Sequence, residues 1–520
     1  MPYDVNLILT PKQASSNDSI EKYAVSRLGI PVAKVGRTTI LRRSIDARGQ
    51  KVKVNLKVRV FAKGENPETD VPTFNYQQVD NKPEVLVVGA GSAGLFASLR
   101  LIELGYKPII LERGKDVSSR KRDIAMLNRN QGLDPNSNYA FGEGGAGAFS
   151  DGKLFTRSHK RGDCQRILHT LHNHGAQDEI LYETHPHIGT NVLPRVISSI
   201  RQTIEGYGGR IHFNSTVEEI IVENGITKGV TLTNGEKVEG VTVVLATGHS
   251  ARDFYYSLNR QGIQLEAKPF AMGVRVEHPQ VLIDSIQYHG RRRGDYLPAA
   301  TYSLAIQVEG RGVYSFCMCP GGYIVPAATG SEEIVVNGMS PSGRSSQWAN
   351  SGIVVEVRLE DIPFLASHNP LAGLQFQHEF ERLAYTQVQK GLTAPAQRLT
   401  HFIEGKASDT LPQCSYHPGL MPSRVDQWLP DHLKARLQVG FREFGRRMSG
   451  FITDQAVVVG VESRTSSPVR IPRDPHSLEH IQVRRLFPCG EGAGYAGGIV
   501  SSAIDGERVA EAIHRVLLKG

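Results

Sequence analysis

Glu84-Val-Leu-Val-Val-Gly-Ala-Gly-Ser-Ala-Gly-Leu-Phe-Ala-Ser98 decides the fold of this 520-residue chain. An apolar run, Val85 to Val88, enters three glycines, Gly89, Gly91 and Gly94. A helical stretch and a second apolar strand ending at Leu111 follow, and then Glu112. That order suits the pyrophosphate of a dinucleotide. Gly89 allows the tight turn, Gly91 lets the backbone approach the phosphates, and Gly94 lets helix and strand pack closely. The helix N-terminus presents unpaired N–H groups and the positive end of its dipole to the anion. Glu112 lies about 20 residues beyond the turn, where a carboxylate accepts hydrogen bonds from a ribose.

At 520 residues the chain is too long for a single core, so two or three domains are expected. A hydrophobic fraction of 40% and a charged fraction of 22% are those of a globular protein rather than a disordered one. The 53 glycines exceed the usual share of ~7%, and the excess sits in three clusters. No apolar run reaches the ~18 residues of a membrane span, because Val85 to Leu104 is interrupted by glycines, Arg100 and Glu103. Five cysteines argue against a disulfide framework and suit a reducing cytoplasm, and Met1-Pro-Tyr-Asp does not read as a signal peptide. A net charge of +8 is modest for this length and is no nucleic-acid signature by itself.

Residues 1–75 read as a small α+β unit. It has a strand at Val5 to Leu9, a helix capped by Asp18 or Ser19 and running through Leu28, and a strand at Thr38 to Ile45. Lys51 to Phe61 alternates strictly, with Val52, Val54, Leu56, Val58 and Val60 on one face and Lys51, Lys53, Lys57 and Arg59 on the other. Asp70 to Pro83 reads as a linker. Val117 to Asn130 reads as a helix, and residues 209–248 as successive strands turned at Asn224-Gly225 and Asn234-Gly235, the last running from Val238 to Leu245. Many strands follow, among them Ala271 to Glu277, Thr301 to Glu309, Val313 to Cys319 and Ile353 to Leu359. Amphipathic helices are expected near Leu374 to Lys390 and Val425 to Met448, with a final helix to about Leu517.

Two further segments resemble the FAD domain of glutathione-reductase-like flavoproteins: Val243-Val-Leu-Ala-Thr-Gly, and Cys489-Gly-Glu-Gly-Ala-Gly-Tyr-Ala-Gly-Gly. The resemblance implies that Glu491 holds the ribityl chain and that Gly497, Gly498 and Ile499 lie at the pyrimidine edge of the flavin. No second Gly-x-Gly-x-x-Gly follows a strand, so a dedicated NAD(P) domain is not expected. Four stretches narrow the match: Phe141-Gly-Glu-Gly-Gly-Ala-Gly-Ala-Phe-Ser-Asp-Gly-Lys-Leu, His187-Ile-Gly-Thr-Asn, Gly460-Val-Glu-Ser-Arg-Thr-Ser-Ser-Pro-Val-Arg and Pro488-Cys-Gly-Glu-Gly-Ala-Gly-Tyr-Ala-Gly-Gly-Ile. Together they resemble a family of bacterial FAD-dependent dehydrogenases of unassigned substrate. The fold so implied is α/β, with a discontinuous Rossmann-like FAD-binding domain at 84–252 and 453–520. A β-rich α+β substrate or cap domain occupies 253–452, beside the N-terminal module. The implied cofactor contacts are Gly89, Gly91, Ser92, Ala93, Gly94, Glu112, Arg113, Gly144, Gly145, Gly147, Val217, Thr247, Gly248, Gly490, Glu491, Gly497, Gly498 and Ile499.

A flavin transfers hydride at its own N5, so the protein supplies orientation, charge and exclusion of water. Lys153, in the Phe141 to Leu154 glycine loop, would favour the reduced flavin anion if it lay near N1/C2=O. Glu462 and Arg464 share a face if their segment is a strand; Arg464 would then hold a substrate carboxylate and Glu462 orient it, or the two would form a structural ion pair. His417, in Ser415-Tyr-His-Pro-Gly419, is a candidate proton donor or acceptor. Cys317-Met-Cys319 reads as buried small apolar residues, since positions two apart on a strand meet poorly, and no metal-ligand spacing accompanies them. The leading expectation is an FAD-dependent oxidoreductase acting on a small organic substrate, with NAD(P)H as a transient donor. The alternatives are a flavoprotein acting on RNA through the basic module and Arg291-Arg-Arg293, and a non-catalytic flavin-binding partner. Nucleic acid is disfavoured because no aromatic stacking residues stand among the lysines. Membrane association is not expected, and oligomeric state stays open.

Overall fold

The strand Glu84–Val88 stands at the centre of a five-stranded sheet in which every pairing is parallel. Its order across the sheet is Leu486–Pro488, Thr242–Leu245, Glu84–Val88, Lys107–Leu111, Arg210–His212. A computed structural model of the chain describes residues 2–65, 72–156, 162–290, 293–362 and 369–518. Arg291 and Arg292 of the basic triplet, and the first residues of the expected linker, lie outside the described residues.

The central strands are buried on both faces, so they read as unbroken apolar runs rather than alternating ones. Helices cover the sheet, with Ser92–Glu103 packed between the strands and the C-terminal helix Ile499–Leu517. Glycine sets that packing distance. A Cβ on Gly506 would stand 2.3 Å from the Ala93 carbonyl oxygen, and one on Gly94 would stand 2.0 Å from that of Gly89.

After Arg210–His212, the third parallel strand in chain order, the chain forms an antiparallel meander of Val217–Glu223, Ile226–Leu232 and Lys237–Glu239. The single strand expected over Val238 to Leu245 is two strands. The break falls at Gly240, whose missing side chain lets the backbone pass Leu86 as it leaves the meander for the parallel sheet.

The second large unit is a seven-stranded sheet ordered Ala305–Val308, Arg311–Cys319, Trp348–Val357, Phe270–Pro279, Val457–Glu462, Ala394–Arg398, Leu420–Pro422. Its pairings are antiparallel except the last. The helices Ala372–Thr386 and Asp431–Arg447 pack on it. Val457–Glu462 pairs in this sheet although it falls within the 453–520 segment, so the return to the nucleotide sheet comes after Glu462.

The N-terminal module is a three-stranded antiparallel sheet, Tyr3–Leu9, Lys53–Ala62 and Val35–Asp46 in that order, with one helix, Asn17–Leu28. Ser16 caps the helix by accepting from the Ser19 N–H, in place of the expected Asp18 or Ser19. Val54, Leu56, Val58 and Val60 point into its core as the alternation predicts. On the wet face, Lys57 and Arg59 both ion-pair with Asp4. The module is docked rather than tethered. Arg43 exchanges backbone hydrogen bonds with Tyr182 and Thr184, and His289 Nε2 lies 2.6 Å from the Ala47 carbonyl oxygen. Among the described residues, no helix is long and apolar enough to cross a membrane.

Gly506→Ala tests the helix contact. Alanine would gain helix propensity of about 1 kcal/mol over glycine. The clash is with backbone atoms that cannot yield, and overpacking costs about 1–3 kcal/mol or more. A lower denaturation midpoint is expected, and an unchanged or raised one would show that the two helices can separate freely.

Candidate functional site

Two turns built for close backbone approach face each other across one cavity of about 420 Å³, lined from both large sheets. On the first, Gly89 has φ +104 and room for no side chain, since its Cβ would lie 2.5 Å from the Ala246 carbonyl oxygen. A Cβ on Gly91 would find only Gly145 Cα at 3.9 Å, so this glycine leaves space on the cavity side. The helix Ser92–Glu103 starts there with no side-chain cap. The helix Ile499–Leu517 also starts at the cavity, from Gly498 and without a side-chain cap, and Cβ atoms on Gly497 or Gly498 would meet nothing within 4 Å. Two helix N-termini thus bring unpaired N–H groups and positive dipole ends to one space.

The loops around these turns are held by specific bonds. Glu112 is buried, and its carboxylate accepts from the N–H groups of Ala90 (2.8 Å), Gly114 (2.9 Å) and Gly142 (2.9 Å). It therefore joins the first turn to the Phe141 to Leu154 loop besides facing the cavity. Gly144 donates to the Ala90 carbonyl at 2.8 Å and has φ +83, so the loop lies across the turn. Arg120 is fully buried beneath, donating to the carbonyls of Asn138, Tyr139, Gly142 and Glu143. On the C-terminal motif, Asp505 accepts from the Gly490 N–H at 2.8 Å and pairs with Arg473 at 2.6 Å. The Tyr255 hydroxyl donates to the Gly492 carbonyl at 2.6 Å, and Gly492 packs directly on Gly248.

Of the residues expected to contact a cofactor, sixteen line this cavity: Gly89, Gly91, Ser92, Ala93, Glu112, Arg113, Gly144, Gly145, Gly147, Val217, Thr247, Gly248, Glu491, Gly497, Gly498 and Ile499. Gly94 and Gly490 do not. They are packing glycines, pressed against Gly89 and Ala93 respectively. Arg113 stacks 4.2 Å from the centre of the Phe141 ring and pairs with Asp253 at 2.9 Å, which leaves its stem along the Glu112 end of the cavity.

The four candidate catalytic residues separate. Lys153 and Arg464 line the cavity, whereas Glu462 and His417 do not. The strand ends at Glu462, so Glu462 and Arg464 do not act as a pair. Glu462 bonds Arg275 at 2.9 Å inside the sheet. Arg464 gives every guanidinium nitrogen to the protein: to Glu381 at 3.0 and 2.8 Å, Glu333 at 2.8 Å and Thr329 at 2.8 Å. It is not free to clamp a substrate carboxylate. His417 is exposed, because its neighbours turn inward: Ser415 bonds Glu277, and the Tyr416 hydroxyl donates to the Leu392 carbonyl. Glu333, Glu381 and His378 bring ligand-type atoms together, but Arg252 and Arg464 already neutralise both carboxylates.

Sequence reasoning missed His249, which follows Thr247-Gly248 directly. It lines the cavity with a buried Nδ1 that has no hydrogen-bond partner. Burial, with repulsion from Arg464, Arg252 and Lys268, pushes its imidazolium down to about 4, so it is neutral at physiological pH. Opposite stands Glu491, whose Oε1 lies 3.7 Å from His249 Nδ1. The walls enclose it while 28% of its side chain stays open to the cavity.

Burial pushes the Glu491 carboxyl up to about 7, and the Lys268 ammonium opposes the shift. A carboxyl raised above its unfolded value near ~4.3 holds its proton more tightly in the folded state. Folding therefore loses stability as pH rises between those values and is level above them. In protein stripped of bound nucleotide, the thermal midpoint of Glu491→Gln relative to the native chain should climb from about pH 5 to about pH 7.5. Parallel curves would remove the burial argument.

Comparison with known proteins fits this geometry. Residues 269–465 match the family model "FAD-dependent protein, C-terminal domain-like", and residues 1–61 match a domain of unknown function, DUF8436. An uncharacterized protein of Clostridium beijerinckii is 40% identical over 513 residues, which is 95% of each chain. A 4,4'-diapophytoene desaturase (4,4'-diapolycopene-forming) of Methylomonas sp is 42% identical over 53 residues, 10% of each chain. A geranylgeranyl bacteriochlorophyll reductase-like structure from Thermoplasma acidophilum covers 84% of this chain and 79% of its own, at 15% identity and a TM-score of 0.35. At that score the likeness supports no inference. The full-length relationship and the matched segment lead to one conclusion: the chain belongs to the same family as the Clostridium beijerinckii protein and carries an FAD-dependent-protein C-terminal-domain-like segment at 269–465.

Proposed function

We propose that the chain is an FAD-dependent oxidoreductase that holds its flavin dinucleotide in the cavity between the two large sheets and acts there on a small organic substrate. The observation that carries this reading is the convergence of two uncapped helix N-termini, at Ser92 and Ile499, on one glycine-lined space. The donor set fits the group. Gly91 and the Ser92 N-terminus suit a pyrophosphate, Glu112 suits a ribose, and Glu491 suits the hydroxyls of a ribityl chain. Bound there, the flavin supplies hydride chemistry.

The chain supplies the surroundings. The N-terminus of Ile499–Leu517 would offer positive potential to a flavin that gains negative charge on reduction, and Lys153, paired with Asp151, adds a cation to the same lining. Glu491, with its raised proton affinity, lines the cavity as a group able to hold or release a proton near neutrality, and the neutral His249 beside it offers a ring nitrogen for a hydrogen bond. In this reading NAD(P)H acts as a transient donor, entering and leaving the same cavity. The small-molecule reading rests on a concave space to which the second large unit contributes Phe316 and Cys317, with Asn337 beside them.

Purified protein should show an oxidised-flavin spectrum that bleaches when NADPH or NADH is added without oxygen. A colourless protein that rejects added FAD would overturn the reading, and a band that persists would remove the nicotinamide. Gly91→Val should give a folded, colourless protein, because the added side chain fills the space left for the pyrophosphate. A yellow Gly91→Val variant would displace the pyrophosphate from this turn.

A further inference from the structure

The sequence reads Cys317-Met-Cys319 as buried small apolar residues; Met318 and Cys319 are buried, but Cys317 is half-buried and lines the cavity. Strand Arg311–Cys319 pairs regularly with Trp348–Val357 as far as Phe316 opposite Gly352, then slips register before Cys319 meets Asn350. Cys317 sits in this bulge with φ +47, a left-handed backbone that a residue with a side chain adopts only when its surroundings enforce it. On a regular strand the two thiols would stand apart along one face. Here both converge on one cation: Lys153 Nζ is 3.7 Å from Cys317 Sγ and 3.6 Å from Cys319 Sγ.

The surroundings differ for the two sulfurs. Cys317 is half-buried and lines the cavity, together with Phe316, Asn337 and Lys153, whereas Cys319 is fully buried behind it. Arg275, fully buried, donates to the Cys317 carbonyl at 3.4 and 3.5 Å and is anchored by Glu462 and by Asn350. Asp151 holds Lys153 at 2.9 Å and Arg344 at 3.2 Å. The charged groups facing the pair are therefore Lys153, Arg275, Asp151 and Glu462. A hydrogen bond from Cys319, with the Lys153 and Arg275 charges, holds the Cys317 thiol well below the usual range, against burial and Asp151. The same hydrogen bond and burial push Cys319 up. One accessible low-affinity thiol beside one buried high-affinity thiol is the arrangement of an attacking and a resolving cysteine.

We propose that Cys317 and Cys319 are a redox-active dithiol opening onto the cavity, and that its substrate class is a small disulfide. The Cys317 thiolate attacks one sulfur of R–S–S–R, forming a Cys317–S–S–R mixed disulfide and releasing R–S⁻. Cys319 then attacks Cys317 Sγ while its proton passes to the departing sulfur, forming the Cys317–Cys319 disulfide and releasing the second half of the substrate as R–SH. The substrate gains two electrons and the dithiol loses two. Lys153 stabilises the attacking thiolate. Return to the dithiol takes two electrons and two protons, and a flavin held in the same cavity would be the source of the electrons; in that clause alone the inference rests on the function proposed above.

The test treats purified holoprotein with bis(2-hydroxyethyl) disulfide, then unfolds it in denaturant containing iodoacetamide to block every remaining thiol, and reads each cysteine by peptide mass spectrometry. The native protein should lose alkylation at Cys317 and Cys319 together while Cys414 and Cys489 stay unoxidised. Cys319→Ser should retain the probe as a mixed disulfide on Cys317, and Lys153→Met should slow the first step about tenfold at neutral pH. Full alkylation of both thiols in folded, yellow native protein would overturn the proposal, whatever the variants do. Flavin absorbance is recorded on the same samples. Colourless protein that still forms the Cys317–Cys319 disulfide supports the dithiol and sinks the flavin reading instead.

Discussion

Close approach of backbone to backbone at the first helix is the constraint on which the rest of the structure depends. Ala93 is met by Gly506 from the C-terminal helix and by Gly490 from the last motif, and Gly94 rests on Gly89. Each contact is shorter than any side chain would permit. These contacts, with the Gly144 to Ala90 and Gly142 to Glu112 hydrogen bonds, bring three distant parts of the chain, near residues 90, 145 and 495, to one cavity. Because two helices start there uncapped, the fold leaves positive potential unsatisfied by protein at the place where a dinucleotide would bring phosphates.

Buried charge ties the two large sheets to that cavity. Arg252 from the helix after the Thr247-Gly248 turn and Arg464 from beyond the last strand of the seven-stranded sheet share Glu333 and Glu381. Glu381 is fully buried, and the two guanidiniums hold its carboxyl down to about 2 despite the burial. A pair of this kind gives little net stability against an apolar substitute, but removing one partner leaves an uncompensated charge, which costs about 3–5 kcal/mol. Its effect is positional. It fixes the His249 turn, in the nucleotide unit, against the Arg464 segment, in the other unit, so the walls of the cavity keep their register.

Charges of both signs line the cavity. Glu112 and Glu491 offer carboxylates, one bound by three N–H groups and the other lifted to near neutrality. Lys153 offers a cation shared between a carboxylate and two thiols. Glu491, its carboxyl lifted to about 7, lines the same space as the Cys317 sulfur.

The sequence by itself determined the strand, glycine turn, helix and following carboxylate of the dinucleotide unit, the final glycine motif, and the alternating strand of the N-terminal module. These are local properties. Period-two and period-3.6 apolar patterns and the φ freedom of glycine act over a few residues. Sixteen of the expected cofactor contacts reach the cavity for that reason. The tertiary structure alone decided which charges meet. Phe270–Pro279 lies beside Val457–Glu462, so Glu462 finds Arg275, while Arg464, just past the strand, turns to Glu381. It also decided the bulge that turns Cys317 toward Lys153, and it put His417 outside and His249 inside. Spacing along a chain fixes periodicity, but the partner of a buried charge or thiol depends on which strands lie side by side, and no local pattern carries that information.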